Sequence, residues 1–240
     1  VTVTAGCLPL LNVANQPVVL WNDATYAQQL DLAPFWSRLG SRSRRKLERT
    51  EGTAMRSVSK VLLTSRWAAD DAIRRYELDP ARVLIVPVGA NIETPNVVER
   101  QRPSDRAIRL LAVGVEWHRK GIDIAVETLR LLRSKGHDAW LDVVGVSPPD
   151  GSWRDDHVRF HGFLSKRVDA EASRLSDLYT SADVFLFPSR EEPYGAVLCE
   201  AAAYSLPVVA TDLNAIPEIV VNGVTGELVP LGSDVSQWAS

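Results

Sequence analysis

The residues best suited by type and spacing to do chemistry run from Pro188 to Glu200, in the order Pro-Ser-Arg-Glu-Glu-Pro-Tyr-Gly-Ala-Val-Leu-Cys-Glu. An apolar stretch, Val184 to Phe187, precedes them and reads as a buried strand, and Gly195 then opens a helix of small residues. A strand that empties into a polar loop and a helix start offers unsatisfied backbone N–H groups and the positive end of a helix dipole, both suited to a phosphate. Gly195 removes the side chain that would block its approach. Glu192 and Glu200 have seven residues between them, the first in the loop and the second inside the helix. A glutamate carboxylate at neutral pH only accepts hydrogen bonds, and two adjacent sugar hydroxyls are a natural donor pair for it. Taken alone, two glutamates at this spacing are better read as a solvated loop charge and a helix-surface charge.

A second constellation is Gly114-Val115-Glu116-Trp117-His118-Arg119-Lys120-Gly121. Arg119 offers a planar fork and Lys120 a point charge to a diphosphate at a strand-to-helix turn. They also read as solvated residues flanking a helix, with the two glycines serving turn geometry. Cations at a helix N-terminus oppose the dipole, which favours a bound anion there.

The elements that must position these residues alternate along the chain. Val18 to Trp21, Lys60 to Thr64 and Val83 to Val86 read as strands, with helices over Phe35 to Arg56 and Trp67 to Tyr76. A second series has strands at Ile108 to Val113, Ala139 to Gly145, Val184 to Phe187, Pro207 to Ala210 and Glu227 to Val229. Its helices are predicted over Ile122 to Arg133, Ser173 to Ser181 and Ala196 to Tyr204. Such alternation requires crossovers and therefore a mostly parallel, doubly wound α/β sheet, whose ligands bind beyond the carboxyl ends of the strands. Between the series, apolar periodicity gives way to Pro95, Asn96, Pro103, Ser104 and charged residues. The expected organisation is a domain over residues 1–92, a linker over 93–106 and a second domain over 107–240. Three strands are too few for a covered sheet, so the N-terminal domain is expected to be truncated and the second to lack its final helices. The first residue is Val1, which places the expected start upstream.

Composition narrows the classes. The formal charge is −3 with 24% charged and 45% hydrophobic residues, which excludes a basic nucleic-acid footprint over the whole surface and a disordered chain. Two cysteines, Cys7 and Cys199, exclude a disulfide scaffold or a multi-thiolate metal site and fit a reducing cytoplasm. No run approaches the ~18 to 20 apolar residues of a membrane span. His118, His137, His157 and His161 lack ligand spacing, and Asp155-Asp156 reads as a loop charge pair, so no metal is expected. Arg38, Arg42, Arg44, Arg45, Lys46 and Arg49, with only Glu48 opposing between them, put a local charge of 6 − 1 = +5 on one predicted helix. It reads first as a solvated face, and alternatively as a peripheral dock for anionic lipid or a lipid-linked acceptor.

Taken together these segments resemble glycosyltransferase family 4, retaining enzymes with two Rossmann-like domains in the GT-B architecture. The matching pieces are Gly114 to Gly121, Val158 to Phe163, Pro188 to Glu200, Pro207 to Asp212, Ile216 to Val220 and Gly223 to Gly226, in that order. Thr64 to Trp67 and Val86 to Asn91 are family-like in the first segment. The resemblance implies that Arg119 and Lys120 bind a donor diphosphate, Glu192 holds the transferred sugar and Glu200 the ribose. It further implies that Gly195 and Ala196 lend N–H groups, that Gly114 and Tyr194 line the donor site, and that Phe163 and Leu164 lie near the nucleobase. Many members carry Arg where this chain has Val115, so the positive charge rests on Arg119 and Lys120. In the first domain Asn22 and Asp23 stand where many members show a His, and are expected on the acceptor side.

The expected activity is transfer of a sugar from a nucleotide-diphosphate sugar, such as a UDP- or GDP-sugar, to an acceptor hydroxyl with retention and without a metal. The acceptor is a carbohydrate, a lipid-linked sugar or a small molecule, and no nucleic acid is involved. Two alternatives share the phosphate crevice: a nucleotide-sugar epimerase, which converts donor without acceptor, and a non-catalytic nucleotide-sugar-binding module. A dinucleotide dehydrogenase is disfavoured because no Gly-x-Gly-x-x-Gly follows a strand.

Overall fold

The computed structural model describes residues 2–4, 17–32, 39–93, 107–153 and 155–240. Its contacts divide the chain into two compact units, residues 1–88 with 192–194 and residues 89–191 with 195–240. Residues 94–106, the greater part of the expected linker, lie outside the described residues, as do Cys7 and Arg38.

The first unit contains β1 (Thr2–Thr4), β2 (Val18–Asn22), α1 (Tyr26–Leu32), α2 (Ser41–Ser57), β3 (Lys60–Leu63), α3 (Arg66–Tyr76) and β4 (Val83–Ile85). The strands form one parallel sheet in the order β1-β2-β3-β4. Alternate residues point to one face, where Leu20, Val61 and Leu63 pack under Ala54, Met55, Ala68 and Ala72. α2 buries Glu51, Gly52, Ala54 and Met55 and turns its arginines outward, the two-faced pattern of a helix lying on a sheet. Ser65 caps α3 by accepting from the Ala68 N–H at 3.1 Å. Two elements here were not expected from the sequence. α1 has no apolar periodicity to announce it, and β1 is only three residues long.

The second unit runs β5 (Ile108–Val113), α4 (Ile122–Ser134), β6 (Ala139–Val144), β7 (Val158–Phe160), α5 (Asp169–Ser181), β8 (Val184–Phe187), α6 (Ala196–Ala203), β9 (Val208–Asp212), α7 (Ile216–Ile219), β10 (Gly226–Pro230) and α8 (Val235–Trp238). All six strands are parallel, in the order β10-β9-β8-β5-β6-β7. The chain therefore winds outward from β5 to β7, returns to the other side of β5 and winds outward again. Both faces are covered. Leu110, Ala112, Leu141, Val143 and Leu186 pack with α4, while Leu111, Val144, Phe185 and Phe187 pack with α5 and α6. α5 starts at Asp169, four residues before the expected Ser173, with Asp169 and Glu171 in its first turn where the helix dipole favours acids.

The carboxyl ends of β5, β6 and β7 meet through bare backbone. The Gly145 N–H donates to the Gly162 carbonyl at 2.7 Å. A side chain on Gly145 would begin 2.2 Å from the Gly114 carbonyl oxygen, at a φ of +103°. Overlap with backbone adds to the left-handed strain, so Gly145→Ala is expected to cost at least about 2 kcal/mol. Urea unfolding checks this, and a cost below about 0.5 kcal/mol would contradict the packing.

Candidate functional site

The winding of the second sheet reverses between β5 and β8, and at such a switch point the two strand-end loops diverge and leave a crevice. Those loops are residues 114–121 and 188–195, the two constellations that the sequence singles out. They are stapled together. The Arg119 carbonyl accepts the Arg190 N–H at 2.8 Å and the Ser189 hydroxyl at 3.2 Å. The Arg190 guanidinium grips the Asp123 carboxylate at 2.8 and 2.9 Å and donates to the His118 carbonyl at 2.7 Å. Gly121, with φ +65°, has no room for a side chain, because a Cβ would fall 1.9 Å from the Pro188 carbonyl oxygen.

Within this frame the two expected cations behave differently. Arg119 Nε donates to the Glu116 carboxylate at 2.8 Å and Nη1 to the Glu191 carbonyl at 3.1 Å, so much of its fork braces the loops. Its Nη2 group makes no hydrogen bond among the described residues. Lys120 folds over Gly114, whose missing side chain accommodates the lysine stem, and its ammonium stands 5.2 Å from the centroid of the Phe187 ring. Gly195 also lies against Phe187, 3.5 Å from Cε1 as measured from where a Cβ would be. Gly195 supplies no side-chain cap to α6, which leaves that helix start to other acceptors. Beside Glu192 on the chain, Glu191 Oε2 is buried without a hydrogen-bond partner. Burial raises its carboxyl above the usual range and the Glu116 charge adds to this, while Arg119 opposes it.

Glu200 lies on α6 with 1% of its surface exposed. Its Oε1 accepts from the Lys166 ammonium and its Oε2 from the Tyr179 hydroxyl at 3.1 Å. Tyr179 stacks on Tyr204 and Phe185, and Phe185 on Phe187, so the four rings form one aromatic row. Lys166 belongs to the loop that also carries Phe163, 69% exposed, and Leu164, buried. The structure thus gathers Gly114, Arg119, Lys120, Phe163, Leu164, Gly195, Ala196 and Glu200 at the carboxyl edge of one sheet. Lys166 and Tyr179 are partners the sequence does not reveal, since each lies more than twenty residues from Glu200 in otherwise ordinary surroundings. His161 has another duty. It hydrogen-bonds Asp142 at 2.6 Å and Arg174 at 2.9 Å, bracing β6 and β7 to α5.

Glu192 and Tyr194 group with the first unit, where both are buried and the Tyr194 hydroxyl donates to the Val88 carbonyl at 3.0 Å. Asn22 ends β2 there and Asp23 follows it, and their carbonyls accept from the Thr64 N–H and hydroxyl at 3.3 Å each. Asp23 is exposed by surface area, yet crowding desolvates its carboxyl and holds it above the ordinary range, with the Glu192 charge adding to the shift. The loop after β2 is anchored from below. Thr25 donates to Asp71 at 2.8 Å, and the Tyr26 N–H donates to Glu51 at 2.7 Å. Burial raises Asp71, but Arg75, Thr25 and Arg74 outweigh it and leave the carboxyl below the usual range. Glu51, fully buried, has only neutral donors, Tyr76 and the Tyr26 N–H, and its Oε1 has no partner. Burial pushes its carboxyl up to about 7.

This arrangement defines an α/β protein that brings cations, glycines and a buried carboxylate to the switch point of a parallel sheet. A family-wide sequence profile described as glycosyl transferases group 1 matches residues 107–240, more than half of the chain, and the chain belongs to that family. A D-inositol 3-phosphate glycosyltransferase of Actinosynnema mirum is 32% identical over 194 residues, covering 71% of this chain and 45% of the relative. The lipopolysaccharide glucosyltransferase WaaG of Escherichia coli is 30% identical over 227 residues, covering 86% and 59%. The chain thus spans about half the length of the curated relatives it matches. Sucrose-phosphate synthase from Thermosynechococcus elongatus superposes with a TM-score of 0.74 at 23% identity, over 99% of this chain and 62% of that one. That likeness establishes the GT-B fold.

Glu51 gives this region a pH signature. An acid whose pKa is raised on folding costs nothing below its unfolded value near 4.5, and destabilises the fold progressively as pH rises through about 7. The full cost is at most about 3 kcal/mol. Glu51→Gln is expected to gain stability relative to the parent as pH rises from 4.5 to 7.5. A difference that stays constant over that range in urea titrations would contradict the assignment.

Proposed function

We propose that this chain carries out part of a glycosyl transfer, binding a nucleotide-diphosphate sugar and passing its sugar to an acceptor hydroxyl. The observation that carries the reading is the stapled pair of loops at the β5/β8 switch point, with Lys120 and the uncapped start of α6 beside Phe187. Transfer breaks the bond between the anomeric carbon and a diphosphate oxygen, so the departing diphosphate gains negative charge while the sugar becomes oxocarbenium-like. Lys120, the Nη2 group of Arg119 and the α6 N–H groups offset that charge. Each well-placed donor is worth ~3 kcal/mol, or on the order of 10²-fold in rate. These groups supply the charge that a metal supplies elsewhere, and the reaction is proposed to proceed without one.

Glu192 holds the transferred sugar by its hydroxyls, and Glu200 holds the ribose. The family resemblance supports retention, in which the acceptor hydroxyl attacks from the face the diphosphate leaves and its proton passes to a diphosphate oxygen. Asn22 and Asp23 are assigned to the acceptor side, where the raised carboxyl of Asp23 suits it to accept a hydrogen bond from a hydroxyl. Gly114, Tyr194, Phe163 and Leu164 complete the donor site, with the exposed Phe163 ring offered to the nucleobase.

The outward face of α2 supports a peripheral role. Arg42, Arg45, Lys46 and Arg49, with Thr50, line a surface depression of about 420 Å³, and no described helix is long and apolar enough to cross a membrane. An anionic acceptor or lipid surface at the inner face of a membrane is the proposed occupant, each cation contributing about 1 kcal/mol. Sedimentation with anionic vesicles is expected to show salt-sensitive binding, and its absence would remove this docking role.

The central test is turnover in a protein of the relatives' full length. Lys120→Ala and Glu192→Gln are expected to lower kcat at saturating donor about 10²-fold or more while changing folding stability little. Unaltered turnover would remove their roles. Glu200→Ala is expected first to weaken nucleotide affinity. Conversion of donor without acceptor would favour an epimerase, and binding without any turnover a non-catalytic module. Thermal stabilisation by a panel of UDP-, GDP- and ADP-sugars selects the donor.

A further inference from the structure

Within the nucleotide-sugar reading, one partner of the site is unaccounted for. Lys166 bonds to the buried end of Glu200 from the loop that carries Phe163 and Leu164, at a position to which the sequence assigns no role. The ion pair is asymmetric, since the Glu200 side chain is 1% exposed and that of Lys166 31%. Tyr179, fully buried, approaches the other carboxylate oxygen. A carboxylate has room for about four hydrogen bonds, so the lysine and the tyrosine fix its plane and leave acceptor capacity for two more donors. A ribose diol supplies two.

The loop that presents Lys166 is itself held. The Gly162 carbonyl accepts the Gly145 N–H at 2.7 Å, the Ser165 N–H donates to Glu171 at 2.5 Å and the Arg167 N–H to Ser165 at 3.2 Å. Phe163, three residues before Lys166, is 69% exposed on the same loop. Lys166 thus joins the segment offered to the base to the carboxylate offered to the ribose.

We propose that Lys166 is a positioning residue of the nucleotide site, orienting Glu200 toward the ribose hydroxyls. Removing the ammonium leaves a buried carboxylate without its cation, which turns away or takes a proton, and either change weakens its acceptance of two hydroxyls. The inference rests on the nucleotide-sugar reading and is tested so that the two fail separately.

The experiment titrates the whole chain with UDP, ADP and GDP, each beside its 2′-deoxy counterpart, and with inorganic pyrophosphate. The parent is expected to bind a ribonucleotide about tenfold or more tightly than its deoxy form. Lys166→Met is expected to erase that preference, bringing the ribonucleotide down to the deoxy level while pyrophosphate binding stays the same. Lys166→Arg is expected to restore the preference. Because an unmatched carboxylate can unfold the chain, Lys166→Met/Glu200→Gln serves as the folded control and should also lack the preference. A Lys166→Met protein that keeps the ribose preference, or loses pyrophosphate binding in parallel, would overturn the positioning role alone. A parent that binds nucleotides without a ribose preference would overturn the Glu200 assignment and this role together. A parent that binds no nucleoside diphosphate would overturn the nucleotide-sugar reading itself.

Discussion

The second unit depends on backbone meeting backbone at the carboxyl edge of its sheet. Parallel strands place all their carboxyl ends on one edge, and the reversal of winding between β5 and β8 sends the next segments to opposite faces. Two loops that part in this way form a stable crevice only if something holds their roots together. Here the roots touch where glycines replace side chains: Gly121 against the Pro188 carbonyl, and Gly145 against the Gly114 carbonyl. Close approach of carbonyls and N–H groups leaves a floor of peptide dipoles, on which a few charged side chains are enough to define a ligand.

The division of labour among those charges follows from what each is already bonded to. Arg190 is committed to Asp123 and the His118 carbonyl, and Arg119 gives Nε and Nη1 to Glu116 and the Glu191 carbonyl. A guanidinium presents several donors in a rigid plane, so it can brace two loops and still present an edge to a ligand. Lys120 is a point charge set over an aromatic face, with its stem in the space that Gly114 leaves. Adjacent cations that look equivalent in sequence are therefore placed differently, one across two loops and the other over an aromatic ring.

Much of this was legible before any coordinates. Strands such as Ile108–Val113, apolar but for Arg109, and Val184–Phe187 announce themselves as apolar runs between turns, and they fell where expected. α1 did not, because it is seven residues long and is held by Glu51 and Asp71 from other elements, a tertiary cause with no local trace. The same holds at the site. The Pro188 to Glu200 stretch is readable because its chemistry is contiguous. The partners of Glu200 are not, since Lys166 looks like any loop lysine and Tyr179 like any core aromatic until the fold brings them to one carboxylate.

The two most deeply buried glutamates differ in partner chemistry rather than in burial. Both are inside the protein, and both accept from a tyrosine hydroxyl. Glu51 is offered only neutral donors and has an orphan oxygen, so burial pushes its carboxyl up to about 7 and it serves the fold as a hydrogen-bonding post for α1. Glu200 is met by an ammonium that itself reaches toward solvent. A buried ion pair is seldom the cheapest way to fill a core, since two well-packed apolar side chains often stabilise it as well or better. A chain that keeps such a pair at the carboxyl edge of a parallel sheet, with the lysine end partly exposed, holds a carboxylate fixed in place by two side chains from other elements.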